Sequence, residues 1–178
     1  MVSVRRLTRS PITWAVVAVL VVALGIGLAL FQPWRLFTNT TVEEASPTVN
    51  APVTPGATPA RPRTLYTGEF ISHEHATSGT LRVLDLGNGQ RVLRLEDLDT
   101  SDGPALFVWL SDAPVLPGRD GWGVFDDGAF VSLGNLKGNK GSQNYEIPAD
   151  VDLSTLRSVS IWCDRFNVSF GAAELRTA

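Results

Sequence analysis

Twenty consecutive residues without a charge, ITWAVVAVLVVALGIGLALF at positions 12–31, restrict this chain more than any other feature, because apolar surroundings must cover every side of such a run. At about 1.5 Å per helical residue the run matches the roughly 30 Å hydrocarbon core of a bilayer, and it reads as one transmembrane helix. Arg5, Arg6 and Arg9 precede it and only Arg35 follows closely. The positive-inside tendency then puts residues 1–11 in the cytoplasm and the rest of the chain outside, as a single-pass protein of the cell membrane. The rival is a cleaved signal peptide, whose apolar region is usually about 7–15 residues with a small-x-small exit. This run is longer and leaves through the bulky LALFQPW. Trp14 and Trp34 fall near its two ends, where amphipathic rings settle among headgroups.

Residues 32–63 change texture. From Thr38 the sequence TNTTVEEASPTVNAPVTPGATPARPR has no aromatic residue, and its prolines at 47, 52, 55, 59 and 62 favour extended polyproline geometry over a helix or a central strand. The expectation is an extracytoplasmic linker, a stalk able to hold a domain away from the membrane. Asn39-Thr40-Thr41 matches the N-glycosylation pattern.

Residues 64–178 consist of short apolar runs bounded by Gly, Pro, Asn and Asp, the pattern of an all-β domain. Candidate strands are 66–72, 80–86, 90–95, 105–110, 130–133, 143–147, 158–163 and 168–175. GNG at Gly87 to Gly89 joins the second to the third as a hairpin, and DVDLSTLRS makes a short helical turn before the seventh. Eight strands in a segment of this length predict an antiparallel β-sandwich or a barrel-like domain. The segment carries nine basic and sixteen acidic side chains, a net charge of -7. That balance repels phosphate backbones and excludes nucleic acid as a partner.

The only cysteine lies in SVSIWCDRF, Ser158 to Phe166. In a strand, alternate side chains share a face, so Val159, Ile161 and Cys163 point one way and Ser158, Ser160 and Trp162 the other. Cys163 continues an apolar row. Spacing alone favours an inert core thiol, since free cysteine behaves as a small hydrophobe and a buried thiol resists oxidation.

A second kind of reading comes from longer motifs. LGNLKGNKGSQNYEIPADVDLSTLRSVSIWCDRFNVSFGAAEL, with GEFISHEHATSGTLRVLDL and GPALFVWLS upstream, resembles the DM13 domain family over about residues 66–175. The resemblance implies an extracellular β-domain with a signature cysteine in an IWC.RF context. It also implies a redox or electron-transfer role through the bare thiol or a bound prosthetic group such as haem. Cys163 occupies the signature position, and His75 matches the histidine before the SGT turn. Ala105 departs from the pattern, standing where many members carry an acidic residue after Gly-Pro. On the resemblance, Cys163 and His75 are the redox or cofactor-binding residues.

Other constellations are thinner. His73 and His75 are the only histidines; on an extended strand their spacing puts both on one face, yet two ligands fall short of a metal site. DLDTSDG, Asp97 to Gly103, has Asp102 where a calcium loop needs glycine and reads as an acidic turn. LKGNKGSQN holds both lysines and reads as a surface loop, with Gly138 and Gly141 able to form a small anion nest. There is no G-x-S-x-G, and a cysteine in a strand lacks the helix N-terminus that usually activates a thiol, so a turnover enzyme is not expected. Two functions stand. One is a membrane-anchored redox or electron-transfer domain with an envelope or redox partner. The other is a non-redox binding or adhesion module in which Cys163 fills the core.

Overall fold

The computed structural model describes residues 10–48 and 62–178. The arginines at 5, 6 and 9 on which the orientation reading rests, and the linker prolines at 52, 55 and 59, lie outside the described residues. Helix α1, Pro11–Phe31, starts on a proline, whose missing N–H is no loss in a first turn. It ends at Gln32, in the left-handed region at φ 42°, which donates its N–H to Leu28 O at 3.0 Å. None of its residues is buried, and the helix is long and apolar enough to cross a membrane.

The described residues of the remainder form eleven strands: β1 Thr41–Glu43, β2 Arg63–Glu69, β3 Ile71–Ser72, β4 Ser78–Asp85, β5 Arg91–Asp99, β6 Leu106–Ser111, β7 Phe130–Asn135, β8 Lys140–Ile147, β9 Ser158–Cys163, β10 Val168–Glu174 and β11 Arg176–Thr177. One sheet runs β1-β8-β5-β4-β2-β11 and the other β3-β10-β9-β6-β7. Every pairing is antiparallel except β1 on β8. The predicted all-β sandwich is the observed architecture, with two facing sheets and no closed barrel. Leu81, Val83, Leu93, Leu95 and Tyr145 from the first sheet meet Val108, Leu110, Val159, Ile161 and Phe170 from the second in the main core.

The hairpin at Gly87 to Gly89 closes with Leu86 N–H on Gln90 O at 3.0 Å, both glycines at positive φ. Within DVDLSTLRS, Leu156 N–H reaches Asp152 O at 2.9 Å, a single helical turn. Two strands differ from expectation for local reasons. The run 66–72 breaks at Phe70, and its halves join different sheets. β5 runs on to Asp99 through a bulge at Asp97, φ 50°. The bulge lets Leu95 and Leu98, three apart, both enter the core.

The larger difference is in the segment read as a stalk. After α1 the chain makes a 3-10 turn, Pro33–Phe37, and then lies along the sheet edge as β1. Lys140 N–H donates to Thr40 O at 3.2 Å and Glu44 N–H to Ser142 O at 2.8 Å. Asn139 Oδ1 accepts from Thr40 N–H at 2.7 Å, Lys137 Nζ reaches the Glu44 carboxylate at 2.7 Å, and Arg94 Nη1 donates to the carbonyls of Glu44 and Ala45. LKGNKGSQN is therefore not a free surface loop but the seat of this strap. Its glycines are needed for close approach: a Cβ on Gly138 would come within 2.5 Å of Thr40 O, and one on Gly141, at φ +92°, within 2.3 Å of Val42 O. The strap begins at the end of α1 and leaves the domain beside the helix terminus.

Candidate functional site

Cys163 is the last residue of β9, in register with Leu106 on β6 and Val168 on β10. Its side chain is fully buried in the main core, on the face shared with Val159 and Ile161 as the alternation predicts. Burial pushes the thiol pKa up, while the backbone N–H groups of Phe166, Arg165 and Ala105 pull it the other way. The turn that follows, residues 164–167, is exposed throughout and contains Asn167 at φ 49°.

The opposite face of β9 is not solvated either. Trp162 is fully buried in a second cluster with Trp109, Phe125, Ala113 and Ala172. The connection between β6 and β7 folds over this outer face and delivers Phe125 to it. Trp162 stacks on Trp109 at 4.9 Å, and Trp109 on the exposed Phe130 at 4.1 Å. Ser158 and Ser160 are buried with them. Ser160 Oγ donates to Ser169 Oγ at 2.9 Å, which lies 2.9 Å from His73 Nδ1, while His73 Nε2 is 3.0 Å from Leu116 O. A carbonyl only accepts, so in the neutral ring Nε2 carries the proton and Nδ1 accepts from the Ser169 hydroxyl. Burial lowers the His73 pKa, opposed by the Leu116 carbonyl. Sequence reasoning missed this polar chain. The one signal for it was the large apolar Trp162 on the face it shares with Ser158 and Ser160.

The histidines do not share a face. The strand ends at Ser72, so His73 turns toward Phe125 in the outer cluster and the His75 ring lies 3.9 Å from Phe170 of the main core at a 47° tilt. His75 Nε2 is held by the Glu74 carboxylate. No group of three metal-ligating side chains occurs among the described residues. In DLDTSDG, Asp102 accepts from Arg35 at 3.2 Å and from the Thr38 hydroxyl at 3.0 Å, which makes the acidic turn an anchor for the strap.

His75 lines a cavity of about 360 Å³ between the end of α1 and the domain. Val168, the register partner of Cys163, also lines it; Cys163 itself does not. The donor set does not fit a haem. The sulfur faces a closed apolar core, His73 has both ring nitrogens engaged, and His75 Nε2 is bound to Glu74. An axial ligand needs a lone pair directed into space large enough for the macrocycle.

Residues 69–175, more than half of the chain, match the family model described as Electron transfer DM13. No curated protein and no solved structure matches the chain.

Proposed function

Because the chain belongs to the DM13 family, we propose that it is a membrane-anchored, extracytoplasmic electron-transfer module whose redox group is the Cys163 thiol. Helix α1 spans the bilayer, the arginines at 5, 6 and 9 stay in the cytoplasm, and the strap holds the sandwich on the outer surface. The observation that carries the reading is the place of the sulfur: it ends β9 next to an exposed four-residue turn, residues 164–167, and although burial raises its pKa, the backbone N–H groups of Phe166, Arg165 and Ala105 oppose that rise. When that turn opens, the thiolate attacks one sulfur of a partner disulfide. One S–S bond forms as another breaks, and the partner's other sulfur leaves as a thiolate that takes up a proton; the thiolate of a second partner then attacks the first partner's sulfur in the mixed disulfide, forms a new disulfide with it and expels Cys163 as the thiolate, so the second partner is oxidised as the first is reduced.

Full burial and the raised thiol pKa favour a second reading, a binding module in which Cys163 only fills the core. Labelling of the native protein with a disulfide probe separates them. Electron transfer through the thiol requires mixed-disulfide formation in the native protein without unfolding, and loss of the in-cell phenotype in Cys163→Ala. If the native thiol stays unlabelled until the protein unfolds and Cys163→Ala keeps the phenotype, the core reading replaces it. For topology, a tag after Ala178 is expected to be protease-accessible on intact cells while the protein stays with membranes after a carbonate wash.

A further inference from the structure

We propose that the cavity where α1 meets the domain binds a flat, neutral, carbonyl-bearing ring with an apolar tail, the chemistry of a lipid-soluble quinone, entering from the bilayer. This goes beyond the thiol reading and stands whether or not Cys163 exchanges electrons.

One wall of the cavity comes from the helix end, through Phe31 and Arg35, and the other from the domain, through His75, Gly103, Phe166 and Phe170. Phe31 is the last residue of α1, so, resting on the reading of α1 as the membrane span, the cavity lies where the chain leaves the bilayer. A ligand dissolved in the bilayer reaches it without crossing water. Phe31 and Phe166 stack at 5.8 Å with planes 21° apart although both stay about half exposed, and the Phe170 and His75 rings meet at 3.9 Å with a 47° tilt. Aromatic faces set this way accept another flat ring in offset or edge contact.

The polar groups select the ligand further. Arg35 Nε donates to Gln32 Oε1 at 2.7 Å, and Nη1 donates to Asp102 Oδ1 and Gly103 O, each at 3.2 Å. A guanidinium has five N–H donors, and the two on Nη2 make no hydrogen bond within the described residues. Asp102 already balances the Arg35 charge, and the Glu74 carboxylate sits on His75 Nε2. A phosphate headgroup would meet two carboxylates beside one compensated cation. A neutral carbonyl oxygen needs only a free donor, which Nη2 supplies, and an apolar tail is accommodated along the uncovered surface of α1.

The test uses the full chain in phospholipid nanodiscs and a short-chain azido-ubiquinone photoprobe, with labelled peptides mapped by mass spectrometry. The expected result is saturable labelling of peptides holding Phe31 to Arg35 and Phe166 to Phe170, suppressed by excess ubiquinone-1 and not by dodecanol. Phe166→Ala and Arg35→Gln alter partly exposed side chains, and each is expected to weaken suppressible labelling roughly three- to tenfold. Labelling spread along α1, labelling that dodecanol suppresses equally, or labelling that both variants leave unchanged overturns the proposal: the first two mean a greasy surface filled by acyl chains, the third a site elsewhere.

Discussion

Substituting Gly141 with alanine separates the strap from the sandwich it covers. Gly141 sits in β8 at φ +92°, where a side chain costs about 1–2 kcal/mol of backbone strain whether or not the strap is docked. The second cost exists only in the docked state: the new Cβ would lie 2.3 Å from Val42 O and 2.5 Å from Glu43 Oε1. The Val42 oxygen is backbone, so no rotamer relieves the overlap and β1 has to move. Overpacking of this kind costs about 1–3 kcal/mol, which is roughly a 5- to 150-fold shift away from docking. The strap can absorb little of that. Its hydrogen bonds contribute about 1 kcal/mol net each, against about 1–2 kcal/mol to order each residue of the segment 39–45, two totals of similar size. Amide hydrogen exchange followed by mass spectrometry reads the outcome on peptides covering 38–46. Gly87→Ala is the control, because Gly87 has positive φ but open space around its Cβ position. The expectation is lost protection of the strap in Gly141→Ala alone, with both variants melting within a few degrees of each other. If Gly141→Ala leaves the strap as protected as Gly87→Ala does, or melts strap and sandwich together at a much lower temperature, the idea of a separable strap fails.

The thiol pKa is raised from 9.0 by burial, so native labelling of Cys163 is expected to be slow at neutral pH and still rising above pH 9; a plateau reached below that value would refute the burial argument. Because the folded thiol holds its proton more tightly than the unfolded one, its contribution to stability is complete below pH 9 and is lost as pH rises through the folded value. His73 has the opposite sense. Its folded pKa lies below 6.5, so stability is full above that pH and falls as the pH drops below it; urea midpoints should show this fall in the native chain and a smaller one in His73→Gln. Trp162 Nε1 is buried without a partner among the described residues. Trp162→Phe removes that orphan donor, worth about 1–3 kcal/mol, and its destabilisation in urea should be well short of the 3–5 kcal/mol typical of an aromatic-to-alanine change.

Helix α1, the two-sheet sandwich, the hairpin at Gly87 to Gly89 and the row of Val159, Ile161 and Cys163 were all legible in the sequence, because each follows from local periodicity, length or turn chemistry. Alternation along β9 told which residues share a face, but not what covers each face. Only the packing of the β6–β7 connection decided that Trp162, Ser160 and Ser158 are as buried as Cys163. The divergence of His73 and His75 depended on where β3 stops, and that is set by pairing with β10 rather than by the histidines' spacing. In the same way, proline content described residues 38–63 as extended but could not say against what. Extended chain is what a sheet edge accepts, and Gly138 and Gly141, about a hundred residues away in sequence, leave room for the backbone of β1 to lie there. Local sequence determines conformations one element at a time, whereas burial, ion pairing and the cavity at the helix end arise between elements distant in the chain, and only the tertiary structure brings those together.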